Sequence, residues 1–370
     1  MIQVQRVENK KDLKTFVNLP FVLYNNDPHW VPPLLKSEYD IFNPQKNPFY
    51  LHAAVELFLA YRDGCPCGRI AAIINDRHNG FHNEKICFFG FFEAEYEEET
   101  SFALLTAVSD YGRQNGMAAL RGPVNFSTND SCGMLIDGFE RDPVIMMPYN
   151  PAYYPRRAED FGLKKAMDLY SYLYDARNTG AKRILRLAEA VRKRHECSMI
   201  PITKRNVFQI LESFKAVYNS SWEKNWGFVP MTPEELDHLA LELKGILEPG
   251  LAFLLLKDGK PIGASVSLPD LNRVLKVLKG KMTLPGIFKA RKAGKQIDMV
   301  RTLILGVVPE FRKQGLELLL IARMIQEGGK RGYRFADLGW ILESNDLMNR
   351  ELENMGAKLY KRFRIYEMGL

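Results

Sequence analysis

The sequence predicts a duplicated α/β fold, in which two tandem domains each hold a mixed, mostly antiparallel sheet flanked by helices. Two stretches of the chain, Phe58–Ile73 and Phe253–Leu268, align without gaps and share the pattern Phe-Leu-x-x-basic-Asp-Gly-x-Pro-x-Gly. Each stretch predicts two strands joined by a tight turn, because Asp-Gly readily adopts the positive φ that a hairpin turn requires. Near the end of each half the pattern Glu-x-x-Gly-x-Lys recurs, with its glycine at Gly162 and again at Gly356.

Two further pairs of glycines extend the repeat and locate an insertion in each half. Gly90 and Gly306 are 216 residues apart, as are Gly116 and Gly332, whereas the two hairpins are 195 residues apart. The second half therefore gains about 21 residues in a basic segment at about 271–297, and the first half gains a similar number within GPVNFSTNDSCGMLIDGFERDP. Four matches in one order predict two domains, at 1–178 and 179–370.

Hydrophobic periodicity predicts the remaining elements in chain order. First strands are predicted at 1–7 and 198–203, a connecting helix at 182–195, and a strand, helix and strand at 300–308, 316–326 and 335–341. A strand–helix–strand unit implies a right-handed parallel crossover. Since an antiparallel hairpin precedes it, each sheet is predicted to be mixed.

The composition excludes several classes of protein. The 370 residues are 46% hydrophobic and 26% charged, with a net charge of +7, as expected of a globular chain. No apolar run approaches the roughly 18 residues of a membrane span, and the amino-terminal MIQVQRVENKK lacks the apolar core of a signal peptide. We therefore expect a cytoplasmic protein with no membrane partner. Five scattered cysteines are expected to remain reduced, and no metal site is expected, because His78 and His82 have no carboxylate between them.

The basic segment between Leu271 and Ile297 has eight Lys or Arg residues and no acidic residue. Apolar residues at helical spacing from Leu271 to Leu278 predict an amphipathic helix, and Pro285-Gly286 interrupts the chain before a second basic stretch. One interpretation is a solvated helical hairpin whose apolar edge packs on the domain. The other is an anion-facing lid for a phosphorylated ligand or nucleic acid. Phe288 is the one aromatic residue in the segment, which gives little support for base stacking.

A possible phosphate-binding turn follows the predicted strand 300–308. The residues Pro309–Glu317 (PEFRKQGLE) contain Arg and Gly and lead directly into a helix. Such a turn can direct backbone N–H groups and the positive end of the helix dipole at an anion. Alternatively, Gly315 serves only to ease the change from strand to helix.

In this setting the motif V-x-P-x-[FY]-R-x-x-G, followed by a helix, a strand, Asn345 and Gly356, resembles the GNAT superfamily of N-acetyltransferases. The resemblance covers the second half and, through the repeat, a degenerate copy in the first. It implies acetyl-CoA or another acyl-CoA as co-substrate, with Asn345 near its pantetheine arm. The implied pantetheine contacts are Gly306, Val307 and Val308, and the implied pyrophosphate turn is Arg312, Lys313, Gln314, Gly315, Leu316 and Glu317. Two positions depart from the family pattern: Glu317 stands where Gly or Ala is usual, and Leu352 where many members have a tyrosine general acid.

The resemblance leaves the catalytic groups to be found among nearby residues. The strand 300–308 has no carboxylate that could serve as a general base, so Glu343, beside Asn345, is the candidate. Tyr366 is the candidate general acid, with Tyr360 as a substitute. Trp222 and Trp226 are candidate walls of the substrate cleft, although core or interface roles are equally open to them.

The first half lacks the phosphate turn and has five acidic residues between Glu93 and Glu99 at the corresponding place. It is therefore predicted to be structural or substrate-binding. The predicted function is an acyl-CoA-dependent N-acyltransferase that acetylates an amine of a small molecule or peptide, with the acceptor between the domains. The alternatives are an inactive GNAT-like binding protein and, third, a Fem-like aminoacyltransferase that uses tRNA. The oligomeric state is left open.

Overall fold

A computed structural model describes residues 1–178, 180–223 and 225–370. The strands are β1 Ile2–Arg6, β2 Ala53–Arg62, β3 Cys65–Asn75, β4 Ile86–Ala94, β5 Ala119–Gly122, β6 Val124–Asn125, β7 Ser131–Cys132, β8 Met134–Asp137, β9 Lys164–Asp175, β10 Cys197–Pro201, β11 Ala252–Lys257, β12 Lys260–Pro269, β13 Met299–Val307, β14 Phe335–Leu342 and β15 Lys358–Gly369. The helices are α1 Lys10–Leu23, α2 Leu35–Ile41, α3 Asp76–His82, α4 Glu98–Gln114, α5 Tyr154–Asp160, α6 Gly180–Arg194, α7 Leu211–Trp222, α8 Pro233–Ile246, α9 Asn272–Leu278, α10 Leu284–Gly294, α11 Glu317–Lys330 and α12 Asp346–Asn354.

The chain divides into two compact units that do not simply follow chain order. Unit 1 consists of Met1–Leu169, Val274–Lys292 and Lys361–Leu370, and unit 2 consists of Tyr170–Arg273 and Ala293–Tyr360. Most of the basic segment, which the sequence assigns to the second copy, thus belongs to unit 1. The boundary at 178/179 stays a prediction about the two copies as stretches of sequence.

Unit 1 holds a mixed sheet with the strand order β1-β2-β3-β4-β5-β15. Neighbours are antiparallel except β4 and β5, which are parallel. The helix α4 packs on this sheet and buries Leu104, Leu105 and Val108 against β3 and β4, where Ile70 and Phe89 are fully buried. The segment around His78 forms α3.

Unit 2 repeats this arrangement with the strand order β10-β11-β12-β13-β14-β9. The strands β10 to β13 are antiparallel neighbours, and β13 and β14 are parallel. The helices α6 and α11 share a core with this sheet, built around Ile184, Phe253, Leu316 and Leu320. The prediction of two mixed, mostly antiparallel sheets flanked by helices is therefore confirmed.

Local sequence signals fix several helix ends. Thr232 and Glu235 form a capping box at the start of α8, in which each side chain accepts a hydrogen bond from the other residue's backbone N–H. Asn9 caps α1 in the same way through its side-chain oxygen. Within the described residues, none of the helices combines the length and the apolar character needed to cross a bilayer.

Candidate functional site

The strands β13 and β14 part to form a slot in unit 2. They pair over four rungs, from Met299↔Phe335 to Thr302↔Leu338. Beyond those rungs β13 continues to Val307 and β14 to Leu342. In the pairing of β13 with β12, Leu303 is an extra residue, because Val266 faces Ile304 and Ser267 faces Thr302. Such a bulge bends a strand and sharpens its twist, which fits the parting of the two strands at this point.

A turn rich in unpaired amides follows β13 and leads into α11. Lys313 and Gly315 both have positive φ, of 62° and 74°. Leu316 is fully buried in the core of unit 2 and fixes the turn against it. Among the described residues, no acceptor lies within hydrogen-bond distance of the backbone N–H groups of 313–317. Together with the positive end of the α11 dipole, amides in this arrangement can bind an anion.

The side chain of Arg312 stabilises this turn from within. Its Nε donates to the carbonyl oxygen of Val307 at 3.2 Å, and its Nη2 donates to the carbonyl oxygen of Ser221 at 2.6 Å. Gln314 Nε2 likewise donates to the carbonyl oxygen of Glu310 at 3.4 Å. Arg312 is exposed but uses two of its nitrogens within the protein, whereas Lys313 is exposed and the turn adds its backbone amides, so the predicted role of Arg312 towards a phosphate stays a prediction.

Negative charge also lies close to the turn. Glu317 is the first residue of α11, and its charge acts on Glu351 of α12. Burial and, second, the Glu317 carboxylate raise the pKa of Glu351. A bound pyrophosphate would face this electrostatic environment as well as the free amides.

Trp222 covers one edge of the slot. A Cβ atom added to Gly306 would lie 2.6 Å from the Trp222 ring, so only glycine at this position of β13 admits the indole in its present place. Tyr218 stacks on the same indole, with ring centroids 5.0 Å apart. Trp226 lies in the turn after α7.

A polar cluster that sequence analysis missed lies at the closed end of the slot. Asp337 of β14 is fully buried and pairs in register with Arg301 of β13, on the rung before the strands part. The hydroxyl of Tyr360 donates to Asp337 Oδ2 at 2.6 Å, and the hydroxyl of Ser171 donates to the same oxygen. Arg301 Nε lies 3.9 Å from Asp337 Oδ1. Burial and the Asp337 charge raise the pKa of Tyr360 well above its usual value, so its phenol stays protonated. The available signal was one acidic residue inside the otherwise apolar strand FADLGWIL.

Comparison with known proteins places this chain in a family. The bacterial ceramide synthase of Caulobacter vibrioides (strain NA1000 / CB15N) is 32% identical over 379 residues, which cover 100% of this chain and 98% of that protein. This chain belongs to its family. Protein YghO of Escherichia coli (strain K12) is 29% identical over 368 residues, which cover 97% of this chain and 93% of that protein. No family model matches the sequence.

A solved structure establishes the fold of this family member. A tandem GNAT protein from the clavulanic acid biosynthesis pathway has a TM-score of 0.60 with this chain at 11% identity, and the match covers 100% of this chain and 98% of that one. The tandem GNAT-like fold that the motif and the repeat predict is therefore confirmed. At this level of identity the similarity concerns the fold alone.

The other predicted site residues are Glu343, Asn345 and Tyr366. Glu343 directly follows β14, and its backbone carbonyl accepts a hydrogen bond from Asn349 Nδ2 at 3.3 Å. Asn345 caps α12, where its side chain accepts from Met348 N at 3.3 Å. Tyr366 belongs to unit 1 and is fully buried, and its hydroxyl donates to Glu159 at 3.0 Å. Their catalytic and binding roles stay predictions.

The equivalent slot in unit 1 is filled by the chain itself. The parallel pairing of β4 and β5 ends at Phe88↔Arg121, and the chain then turns back across β4. A Cβ atom on Gly90 would lie 1.8 Å from the carbonyl oxygen of Val124, and Asn125 Oδ1 accepts from the backbone N–H of Phe91 at 2.7 Å. This crossing segment begins the insertion that the sequence locates in the first copy, so the insertion occupies the place where a ligand would lie.

An apolar cavity lies in unit 2 between α7, α8 and the sheet. Its lining is entirely apolar: Ile202, Val207, Ile210, Leu211, Phe214, Leu236, Leu239, Ala240, Leu243, Leu247 and Val266. Val266 pairs with Ile304 of β13, so the cavity borders the strand next to the slot. In the described residues, no three His, Cys, Asp or Glu side chains come together in a way that could hold a metal ion.

Proposed function

We propose that this chain is an N-acyltransferase that moves a long acyl chain from acyl-CoA to the amine of a sphingoid base or a similar long-chain amino alcohol. The observation that carries the proposal is the open slot of unit 2, which ends in a turn of unpaired amides. A relative of the same length is named a bacterial ceramide synthase, and a ceramide is the amide of a fatty acid with a sphingoid base. The cytoplasmic setting expected from the sequence would supply the acyl-CoA.

The residues present fit the phosphates of acyl-CoA. The amides of 313–317 and the exposed Lys313 provide donors and positive charge at the start of α11. The edges of β13 and β14 that face each other beyond Thr302 and Leu338 are available to the amide groups of a pantetheine arm. When bound, acyl-CoA supplies the activated acyl group of the reaction.

The apolar cavity favours a substrate with a hydrocarbon chain over the small acetyl donor predicted from sequence. Its lining has no polar side chain, so the burial of methylene groups there is favourable and leaves no polar group without a partner. The helix α7 lines the cavity at Leu211 and Phe214 and ends at Trp222, which covers Gly306 at the slot. The cavity has a volume of about 40 Å³ in this structure, so we assign to it only the end of the acyl chain, and the cavity would widen on binding.

Two groups in unit 2 are candidates to donate and to accept the protons that acyl transfer requires. The amine must lose a proton before or during its attack on the thioester carbonyl, and the departing thiolate must gain one. Burial and the Asp337 charge raise the pKa of Tyr360, so its phenol holds a proton at the closed end of the slot; we propose it as the proton donor to the thiolate, a role for which the raised pKa makes it a weaker acid. Glu343, next to the open end of β14, is the candidate to accept the proton of the amine.

Binding is tested first, by thermal unfolding with and without palmitoyl-CoA. We expect the midpoint to rise, because only the folded state binds the ligand. The variant Gly315→Val is expected to lose most of this rise, since its φ of +74° is strained for any side chain. Gly332→Ala, at a φ of +85° in the turn after α11, is the matched control for strain alone. The absence of any rise at about millimolar ligand would remove the proposal.

Catalysis is tested by CoA release with a long-chain amino alcohol as acceptor. We expect Tyr360→Phe to lower kcat by about 100-fold with little change in palmitoyl-CoA binding. Ala240→Phe, which narrows the cavity, is expected to lower the activity with palmitoyl-CoA more than with hexanoyl-CoA, so the short substrate is its internal control.

The second candidate function, an inactive acyl-CoA-binding protein, is favoured by the position of Leu352. This residue, where many GNAT enzymes have a tyrosine, is buried in a core cluster with Tyr172 and Tyr174. Binding of palmitoyl-CoA without CoA release for any amine would support this candidate and overturn catalysis.

A further inference from the structure

The basic segment forms a projecting hairpin on unit 1. It consists of α9, the connection 279–283, and α10. Between Leu271 and Ile297 it carries eight cationic residues and no acidic one: Arg273, Lys276, Lys279, Lys281, Lys289, Arg291, Lys292 and Lys295. The rest of the chain has a net charge of about −1, so this hairpin accounts for the basicity of the protein.

The tip of the hairpin also exposes large apolar side chains. Met282 is 68% exposed, Leu284 77% and Phe288 75%. Leu284, Ile287 and Phe288 are spaced i, i+3 and i+4 on one face of α10, and Ile287 is 42% exposed. Apolar residues at this density on one short helix are costly in water, which marks the face as a contact surface.

Contacts with other residues of unit 1 hold the hairpin in place, so its apolar tip is part of the folded structure. The carbonyl oxygen of Gly280 accepts from Leu35 N at 3.0 Å, and a Cβ atom at Gly280 would lie 2.5 Å from the Phe21 ring. Lys276 forms an ion pair with Asp142. The first turn of α10 is stabilised by Thr283, whose hydroxyl accepts from Gly286 N at 3.2 Å.

We propose that this tip docks on the surface of an anionic phospholipid bilayer, with Met282, Leu284, Ile287 and Phe288 in the interface and the surrounding lysines and arginines on the headgroups. A short helix with an apolar face and flanking cations is the arrangement that binds such interfaces. Membranes with anionic lipids attract cations near their surface, and apolar side chains add a contribution that a nucleic acid could not provide. Self-association through this face is opposed, because two copies would bring their cationic segments together.

The sequence analysis expected no membrane partner, and the proposed docking departs from that expectation. It also gives the proposed reaction access to substrates with long hydrocarbon chains, which reside in membranes. The inference stands on the hairpin alone, and its test contains neither acyl-CoA nor an acceptor. Its failure would leave the proposed function intact, and the failure of that function would leave the docking intact.

Co-sedimentation of the full chain with vesicles tests the inference. Vesicles of phosphatidylcholine alone are compared with vesicles that hold about equal parts of phosphatidylglycerol, at about 50 mM and about 500 mM NaCl. We expect binding to the anionic vesicles at low salt, with a loss of about tenfold or more at high salt because the charges are screened. Equal binding to both kinds of vesicle, or none to either, would overturn the proposal.

Two double variants separate the apolar and the electrostatic contributions. Leu284→Ser with Phe288→Ser, and Lys289→Glu with Lys292→Glu, are each expected to weaken binding to anionic vesicles about tenfold or more. All four residues are exposed, so the fold should be unaffected, and circular dichroism checks this. The matched controls are Leu241→Ser, at an apolar residue that is 60% exposed on α8, and Lys10→Glu with Lys11→Glu on α1.

Unchanged binding in both double variants would overturn the proposal. A dimer in sedimentation velocity that Leu284→Ser with Phe288→Ser converts to a monomer would show instead that this face joins two copies, and would also overturn it.

Discussion

Each unit has a slot where two parallel strands part, but the slot is open in unit 2 and filled by the chain itself in unit 1. In unit 2, β13 and β14 part after Thr302↔Leu338 and lead to a turn with unpaired amides. In unit 1, β4 and β5 part in the same way, but the segment from Val124 to Phe126 lies across Gly90 and occupies the space. Phe126 then packs against Phe49 and Phe91, with ring centroids 5.1 and 4.9 Å away. A duplicated slot can thus stay open in one copy while it becomes part of the core in the other.

The polar groups at the ends of β4 and β13 differ in the same way. At the end of β4 stands Glu93, whose side chain is 14% exposed and accepts hydrogen bonds from the hydroxyls of Tyr24 and Tyr154. At the end of β13 stand the free amides of the turn. The first arrangement buries a carboxyl group within the protein, and the second leaves donors open to an external anion. Three predictions test this contrast.

The largest effect is expected from a methyl group added at the equivalent glycines. Gly90→Ala places its Cβ against backbone that cannot yield, so we expect a loss of about 4 kcal/mol in the free energy of unfolding. Gly306→Ala meets only the Trp222 side chain, and a loss of about 1 kcal/mol is expected. Urea unfolding measures both. Similar losses in the two variants would show that the slots are filled alike.

Glu93 is expected to make the free energy of unfolding depend on pH by about 3 kcal/mol. Burial raises the pKa of this carboxyl to about 7 from an ordinary value of 4.5. As the pH rises, Glu93 loses its proton at a lower pH in the unfolded chain than in the folded protein. The free energy of unfolding therefore falls by about 3 kcal/mol in all between pH 4.5 and 7 and is constant above that range. Glu93→Gln removes this fall, as urea unfolding at about pH 4.5 and about pH 8 should show.

Glu97→Gln, at an exposed position of the same acidic segment, is the control for Glu93→Gln and should keep the wild-type pH dependence. If Glu93→Gln kept it as well, the buried carboxyl would not be its source.

The smallest effect is expected at the turn of unit 2. Glu317→Gln removes a negative charge beside the free amides and should tighten palmitoyl-CoA binding by about fivefold, or about 1 kcal/mol. Calorimetric titration measures this change, which should shrink at high salt. Glu242→Gln, at an exposed residue of α8, should leave the affinity unchanged. Weaker binding in Glu317→Gln would mean that the carboxylate supports the site.

Sequence analysis could predict the duplication because the Asp-Gly hairpins and the paired glycines recur in one order. It could also locate both insertions, since each changes the spacing of the repeat. It could not predict that one insertion crosses Gly90, because the contact depends on where the chain turns after Gly122 and not on any local pattern. The same holds for the basic hairpin: spacing places it in the second copy, whereas packing places Val274–Lys292 in unit 1.

The candidate site was predictable only where backbone chemistry follows local sequence. The turn 309–317 is encoded by its glycine, its proline and the helix that follows. Asp337 of β14 and Tyr360 of β15 meet across β9, which lies between these two strands and contributes Ser171 to the cluster, and the residues between Asp337 and Tyr360 in sequence form α12 and give no sign of this. Tyr366 is named as a general acid because Leu352 replaces the usual tyrosine, although β15 has passed into unit 1 at Lys361.

That passage of β15 bears on how the protein is synthesised. The residues of β15 from Tyr366 to Gly369 pair with β5, while the part of β9 from Tyr170 onward lies in unit 2. When the ribosome has made the first half, the sheet of unit 1 still lacks its closing strand, and β5 presents an open edge. That edge is covered only after every residue of unit 2 has been translated. The sheet of unit 1 can therefore be completed only after the chain of unit 2 has been made, and until then β5 is an edge at which chains could associate.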